Sequence, residues 1–175
     1  MSNDVASSLA AGGAQPWQVR AAEPDDADAC AAIAIAAWQR VHDSYQTLLG
    51  EELHELLFAD WRQKKAREVI QVVQGQPERA LVAVAAGVVV GFATFRVDAA
   101  GNTGEIGNNA VHVAWQGRGI ATTMYQAVLA HMRDRGVHVV RVTTGLDEGH
   151  APARAAYGKA GFQQGVPSIT YYLKL

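Results

Sequence analysis

A strand that passes through glycines directly into a helix is the feature that most constrains this sequence. The stretch from Ile106 to Gly136 starts as a β-rich run and continues through Gln116-Gly117-Arg118-Gly119. It then takes on helical spacing, with apolar residues at Ile120, Met124, Val128 and Met132. Such a turn directs several free backbone N–H groups to one point, and the positive end of the helix dipole adds to that field. The stretch alone therefore fits a phosphate-binding turn and an ordinary strand-to-helix connection equally well.

Composition and charge exclude several classes of protein. The 175 residues, 49% hydrophobic and 18% charged, suit one globular domain with a substantial core. A net charge of −2 without a lysine or arginine run argues against a nucleic-acid partner and against an anionic membrane surface. Cys30 is the only cysteine and no zinc-ligand spacing occurs, so we expect neither a disulfide nor a metal. Without a signal-peptide pattern or an apolar stretch of membrane-spanning length, we expect a cytoplasmic protein.

The pattern of elements predicts a single α/β domain over residues 16–175, after a flexible tail at residues 1–15 that is rich in Ser, Ala and Gly. We expect a mixed, mostly antiparallel sheet of about seven strands flanked by about four helices. The helices are predicted at Ala27–Val41, at Glu51–Val73 with an interruption near Asp60, from Ile120 to a cap at Gly136, and at Ala151–Ala160. A loop is predicted at Asp43–Gly50, between the first two helices.

Strands are predicted wherever β-branched and alternating runs lie between turn residues. These runs are Trp17–Ala22, Ala80–Ala85, Val88–Val97, Glu105–Val113, Val137–Thr143, Phe162–Val166 and Ile169–Lys174. Ala86-Gly87 and Asp98–Gly104 indicate hairpin turns. The strand–helix–strand unit around the glycine turn predicts a right-handed crossover with parallel pairing.

Two motifs in this order resemble the GCN5-related N-acetyltransferase (GNAT) superfamily. The family's acetyl-CoA signature, Gln/Arg-x-x-Gly-x-Gly/Ala, stands here as Gln116-Gly117-Arg118-Gly119-Ile120-Ala121. Its second motif, Asn-x-x-Ala-x-x-x-Tyr-x-x-x-Gly-Phe, matches residues 150–162, with His150 in place of the asparagine. The two motifs lie on consecutive helices around one strand and cover Glu105–Phe162. The earlier elements fit the rest of the GNAT fold.

The resemblance implies acetyl-CoA as the co-substrate, held mainly by backbone groups. The amides that would hold its pyrophosphate belong to Gly117, Arg118, Gly119, Ile120 and Ala121, with Gln116 beside them, and the hydroxyl of Thr122 can add to them. The strand end at Val111, His112 and Val113 would face the pantetheine arm, with Val111 and Val113 pairing their backbones to its amides. His150 replaces an asparagine that commonly bonds this arm; one ring nitrogen can make that contact, or the ring can turn away.

The resemblance also implies catalytic roles. Tyr157 takes the position of the general acid that protonates the leaving thiolate, and the alternative is a core aromatic residue. Glu105 is the first candidate for the base, acting through a water, and the alternative is a solvated glutamate at a strand start. Strand alternation predicts that Glu105 shares one face with Asn109 and Val111. His112 is a weaker base candidate on the opposite face.

The acceptor site is expected beside the loop between the first two helices, the Asp98–Gly104 hairpin and the C-terminal strands, lined by Trp38, Tyr45, Asn109 and Tyr171. These features predict an N-acetyltransferase that moves the acetyl group to a primary amine, on a small molecule or a peptide, by direct transfer in a ternary complex. A non-catalytic acyl-CoA-binding or sensing module on the same fold is the alternative. A nucleotide-binding domain of another fold is disfavoured, because no Walker or dinucleotide fingerprint is present. A homodimer through the C-terminal strands is compatible with the sequence.

Overall fold

One five-stranded sheet organises the chain. The computed structural model describes residues 16–98, 100 and 102–175, so the predicted tail at residues 1–15 lies outside the described residues. The strands are β1 (Gln18–Ala21), β2 (Ala80–Ala85), β3 (Val88–Val97), β4 (Thr103–Val111) and β5 (Val139–Val142), in spatial order β1-β2-β3-β4-β5. Neighbouring strands are antiparallel except β4 and β5, which are parallel, as the crossover predicted.

Helices cover both faces of this sheet. They are α1 (Ala27–Leu49), α2 (Glu51–Phe58), α3 (Trp61–Gly75), α4 (Ile120–Arg133) and α5 (Ala151–Ala160). On one face α1 and α3 pack over Val82 and Phe92, and on the other α4 and α5 pack over Ala93 and Phe95. Within the described ranges, no helix is both long and apolar enough to cross a membrane. The predicted α/β class and mixed, mostly antiparallel sheet are confirmed.

A bulge in β4 determines which side chains face which helices. Phe95 pairs with Ile106 and Ala93 pairs with Asn109, so two residues of β4, Gly107 and Asn108, stand opposite one residue of β3. An extra residue in one strand inverts the alternation of side chains beyond it. Ile106 and Asn109 consequently both face α4 and α5, although they are three positions apart.

The parallel pair β4–β5 is short, and the two strands separate beyond it. Pairing runs from Thr103 with Val139 to Ile106 with Val142 and ends there. β4 continues for five more residues to Val111 without β5 beside it, which leaves the polar edge of its backbone free on that side. The separation therefore begins after Ile106 and Val142, well before β4 ends at Val111.

Two sequence predictions about the elements are wrong. The region Asp43–Gly50 is not a loop, because α1 continues to Leu49; Asp43 accepts a hydrogen bond from the Gln39 side chain, and the Thr47 hydroxyl bonds back to the Asp43 carbonyl inside the helix. The segments Phe162–Val166 and Ile169–Lys174 lie outside any strand of the described sheet, which therefore has five strands and not about seven. Their alternating pattern suits a strand, but alternation alone does not supply the neighbouring strand that a ladder needs.

His42 of α1 joins α1 to α2 and α3 and makes stability depend on pH. Its ring stacks on Trp61 with centroids 4.0 Å apart, and its Nδ1 lies 3.2 Å from Nε2 of His54. Burial, together with the nearby His54, Arg62 and Lys65, lowers the pKa of His42 from 6.5 to about 4. Below about pH 6.5 the unfolded chain therefore binds a proton at His42 that the folded chain does not bind. The contribution of His42 to the unfolding free energy is fully present above that pH and is lost as the pH falls toward 4.

Because of His42, we expect the unfolding free energy to fall by roughly 3 kcal/mol when the pH is lowered from 7 to 4, since each unit of pKa difference is worth about 1.4 kcal/mol. Urea unfolding of the wild type and of His42→Phe, which retains the ring on Trp61, should show a shallower pH dependence for the variant. Equal slopes for the two proteins between pH 6.5 and 4 would contradict this assignment.

Candidate active site

A cavity of about 420 Å³ opens where β4 and β5 separate. It passes through the plane of the sheet, because α1 lines it from one face and α4 and α5 line it from the other. Its volume is in the range of ordinary small-molecule sites. The structure brings eleven of the predicted site residues to this cavity: Trp38, Asn109, Val111, Gln116, Gly117, Gly119, Ile120, Ala121, Thr122, His150 and Tyr157.

The glycine turn closes one end of the cavity. Gly117 and Gly119 have φ of +76° and +81°, a left-handed conformation that favours glycine. The side chain of Gln116 donates a hydrogen bond to the Val111 carbonyl oxygen at 3.0 Å, which ties the turn to the end of β4. The Thr123 amide bonds to the Gly119 carbonyl, so the amides of the preceding turn have no helical partner. This end of the cavity offers the free N–H groups that an anion needs.

The Val111 backbone faces the cavity. The next amide, that of His112, donates to the Val90 carbonyl of β3 at 2.9 Å. Successive amides of a strand point to opposite sides, so the Val111 N–H points away from β3, toward the side that β5 has left. A backbone donor is thus available midway between the glycine turn and Tyr157.

Tyr157 is buried, 6% exposed, and shares Asn109 with a second tyrosine. The Asn109 side-chain amide donates to the Tyr157 hydroxyl at 3.0 Å and to the Gly107 carbonyl at 2.8 Å, and its oxygen accepts a 2.6 Å hydrogen bond from the Tyr125 hydroxyl. Burial raises the pKa of Tyr157 above its usual value, although the hydrogen bonds to Asn109 and Tyr125 act in the opposite direction. The phenol therefore holds a proton at neutral pH, as a general acid must.

Glu105 lies apart from this cavity. The bulge at Gly107 and Asn108 places Glu105 on the face opposite Asn109, so the predicted shared face is wrong. Its carboxylate accepts hydrogen bonds from Arg96 and Arg141, each at 2.7 Å. The Arg96 hydrogen bond lowers the pKa of Glu105, burial opposes this, and Arg141 adds to the lowering. This placement does not support Glu105 as the base.

The other predicted site residues are also not brought to the cavity. His112 is exposed and its Nδ1 accepts a hydrogen bond from the Ala114 amide; Val113 is exposed at the start of a short 3-10 helix, so β4 ends two residues earlier than predicted. Arg118 stacks on Trp115 on the surface. Tyr45 lies behind His150 with ring centroids 6.1 Å apart, and Tyr171 is 84% exposed.

Sequence reasoning missed three hydroxyl-bearing residues that line the cavity, Tyr125, Thr143 and Thr144. Tyr125 stands directly after the apolar position Met124, and a tyrosine at the edge of an apolar stripe could have identified it. Thr143 and Thr144 follow β5, and polar residues at the carboxyl end of a parallel strand are a known signal for a ligand site. The Thr144 hydroxyl oxygen is buried without a hydrogen-bond partner among the described residues.

The loop after β5 brings a carboxylate and an imidazole together. Asp147 Oδ2 lies 2.6 Å from Nδ1 of His150, and the two side chains are 7% and 17% exposed. Burial opposes ionisation of Asp147, but hydrogen bonds from His150, Ser44 and the Gly149 amide outweigh it and lower its pKa. In the described part of the chain, no group of three or more His, Cys, Asp or Glu side chains could hold a metal ion.

Comparison with known proteins identifies relatives of this arrangement. Residues 38–162 match the model of the acetyltransferase (GNAT) family. Among solved structures, PaiA N-acetyltransferase of Thermoplasma acidophilum, in complex with coenzyme A, is 18% identical with a TM-score of 0.61, over 84% of this chain and 89% of that one. The yncA protein of Salmonella typhimurium, solved with its cofactor acetyl-CoA, is 21% identical with a TM-score of 0.56, over 85% and 80%.

A proposed acetyltransferase from Pyrococcus horikoshii is 22% identical with a TM-score of 0.59. That match covers 86% of this chain, but this chain spans only 44% of the Pyrococcus chain. No curated protein matches. Likeness at these identities shows a shared fold.

The network around Asn109 yields a stability prediction. Asn109→Ala should lower the unfolding free energy by about 1–3 kcal/mol, because the buried Tyr125 hydroxyl loses its acceptor. Tyr125→Phe alone should cost about 1 kcal/mol or less. Adding Tyr125→Phe to Asn109→Ala should recover part of the loss, since the unpaired hydroxyl is removed, and urea unfolding measures each term. Strictly additive losses would show that the hydroxyl does not depend on Asn109.

Proposed function

Because the chain belongs to the acetyltransferase (GNAT) family, we propose that it is an N-acetyltransferase using acetyl-CoA as donor and a primary amine as acceptor. The observation that carries this proposal is the single cavity that connects the glycine turn to the buried Tyr157. One end offers free amides for an anion and the other a protonated acid, as acetyl transfer from a thioester requires. The amine belongs to a small molecule or a peptide.

The residues of the cavity fit an extended donor with a phosphate group. The pyrophosphate would be held by the amides of Gly117 to Ala121, with Gln116 and Thr122 beside them. The pantetheine arm would lie in the gap between β4 and β5, where it can bond the free edge of β4 at Val111. The Thr144 hydroxyl, which has no hydrogen-bond partner among the described residues, marks a polar position in this gap. Acetyl-CoA supplies the activated acetyl group when it is bound there.

The chemistry then assigns a role to each end of the cavity. The Val111 amide faces the cavity and can stabilise negative charge on the acetyl oxygen during amine attack. The Tyr157 hydroxyl accepts a hydrogen bond from the Asn109 side-chain amide at 3.0 Å and lies 3.3 Å from the Asn109 oxygen, so Asn109 holds the phenol whose proton would pass to the departing thiolate. In this scheme Asn109 orients Tyr157.

Cys30 supports direct transfer over an acetyl-cysteine intermediate. Its side chain is fully buried among the α1, α3 and sheet residues, away from the cavity. Burial raises the pKa of the Cys30 thiol to about 12, and the thiol rather than the reactive thiolate therefore predominates at neutral pH. Attack by the amine on the bound thioester needs no such residue.

We expect Tyr157→Phe to lower kcat by about 100-fold while the affinity for acetyl-CoA changes less than threefold, because general acid catalysis typically contributes 10²–10⁴-fold. Free thiol release with a broad panel of amines measures kcat, and calorimetry measures affinity. An unchanged kcat would contradict the assignment of Tyr157 as the general acid. A wild type that binds acetyl-CoA but releases no thiol with any amine would instead favour the non-catalytic binding module.

A pair of matched glycine substitutions tests the donor site. Gly119 and Gly136 stand at opposite ends of α4 with φ of +81° and +79°, and both have open space where a Cβ would lie. Ala at either position should cost roughly 1 kcal/mol of stability, because a left-handed conformation is strained for alanine. Only Gly119→Ala should weaken acetyl-CoA binding, by about tenfold or more in calorimetry, since only this turn faces the cavity. Equal affinities for acetyl-CoA in the two variants would contradict the assignment of the pyrophosphate site to this turn.

A further inference from the structure

We propose that the Asp147–His150 pair is the general base, with Nε2 of His150 accepting the proton of the acceptor's ammonium group and Asp147 acting as a positioning residue. This inference rests on the proposed acetyl transfer and identifies the base of that reaction. It gives His150 a different task from the pantetheine contact that its place in the second motif implies.

The composition of the cavity wall is the first argument. Its described lining contains five titratable side chains, those of Arg40, Tyr125, His150, Tyr157 and Lys159, and neither an aspartate nor a glutamate. Arginine and lysine carry their protons at neutral pH, and burial raises the pKa values of both tyrosines. His150 is therefore the lining group of this set whose side chain offers a ring nitrogen as a proton acceptor.

The hydrogen bond to Asp147 determines which nitrogen is the base. The lowered pKa of Asp147 keeps that carboxylate ionised, so Nδ1 of His150 donates to it over 2.6 Å. In the neutral ring Nε2 is then the unprotonated nitrogen, and it has no hydrogen-bond partner among the described residues. The same arrangement of a buried carboxylate on one ring nitrogen leaves the other ready to take a proton in other enzymes.

The surrounding loop holds the pair in place. Arg154 donates to the carbonyl oxygens of Gly145 and Asp147, each at 2.7 Å. A Cβ on Gly149 would lie 2.7 Å from Val41 Cα, so the loop packs closely on α1. A Cβ on Gly145 would overlap Asp147 Oδ2 and His150 Nδ1. Catalytic side chains are effective when packing and hydrogen bonds restrict them in this way.

A purely structural role accounts for only one of the two oxygen atoms of the Asp147 carboxylate. Its Oδ1 accepts the Gly149 amide at 2.9 Å and so caps the short helix before α5, as an N-cap aspartate does. Capping needs one oxygen, and the second is directed at the imidazole. Among the charged or titratable groups, Asp147 bonds the ring and Tyr45 of α1 lies against it, while Arg154 bonds the Asp147 carbonyl and Arg40 and Lys159 share the cavity wall.

The proton balance of the reaction closes with these groups. Nε2 removes one proton from the ammonium, and the neutral amine forms its N–C bond with the acetyl carbon. The C–S bond breaks and the thiolate takes the Tyr157 proton. The phenolate recovers a proton from the attacking nitrogen, which becomes the amide, and His150 releases its proton to solvent. One ammonium and one thioester thus yield one amide, one thiol and one proton.

The decisive substitution is His150→Asn, which restores the asparagine of the family motif. Asn can bond the pantetheine arm and is a good residue at a helix N-cap, but it cannot accept a proton. We expect kcat to fall about 100-fold or more, the pH profile of kcat/KM to lose its acidic limb, and the KM for acetyl-CoA to change less than threefold. Asp147→Asn retains the cap and should lower kcat with the same unchanged KM. His138→Asn, at an exposed histidine outside the cavity, is the matched control and should match the wild type.

Each outcome of this experiment decides a question. If His150→Asn has a kcat within threefold of the wild type and the same pH profile, His150 is a pantetheine contact only and this inference fails while the proposed function stands. If the variant loses acetyl-CoA affinity at unchanged kcat, the base role fails as well. If the wild type itself neither binds nor consumes acetyl-CoA, the proposed function fails and this inference fails with it. His150→Gln, compared by thermal unfolding, repeats the test should the asparagine variant be less stable.

Discussion

The β-bulge in β4 is the constraint on which the rest of the site depends. Thr94 of β3 stands opposite two residues, and its hydroxyl donates to the Asn108 carbonyl at 3.1 Å. Position 107 has room only for glycine, because a Cβ there would lie 2.8 Å from the Thr94 hydroxyl oxygen. The extra residue turns Asn109 toward α4 and α5, where it meets Tyr157, and leaves Glu105 on the opposite face. A single inserted position thus separates a structural ion pair from the reactive cavity.

The cavity exists because β4 and β5 stop pairing, and the bulge in β4 turns Asn109 toward this space. A continuous parallel ladder between β4 and β5 would bond the Val111 backbone and close the sheet. Because pairing ends at Ile106 and Val142, the opening connects the α1 face with the α4 and α5 face. A donor that enters between the strands from the glycine turn can therefore meet an acceptor that arrives from the side of α1. In the proposed reaction the acetyl group would pass from donor to acceptor through the gap in the sheet between β4 and β5.

Local patterns predicted the elements that local interactions determine. The bounds of β2, β3 and α5, and the start of α4, agree with the sequence prediction, since turn residues and periodicity mark each of them. The structure brings the glycine turn and Tyr157 to one cavity, and each lies in a contiguous motif that a sequence pattern can recognise. The bulge was missed because it is a relation between two strands, and simple alternation then placed Glu105 on the wrong face. The strand prediction for the two C-terminal segments was wrong for a related reason. Their alternating pattern suits a strand, but it does not determine which sheet edge the strand would pair with.

The environments of the two candidate proton-transfer groups explain how one cavity can serve both steps. Tyr157 is buried against Tyr125, and burial favours its protonated form. His150 donates from Nδ1 to the Asp147 carboxylate, whose lowered pKa keeps it ionised, and this contact orients the ring. The cavity wall thus carries a phenol that can donate a proton and an imidazole that can accept one. The placement of Glu105 does not favour it for the second role, because it lies apart from the cavity and two arginines stabilise its charged form.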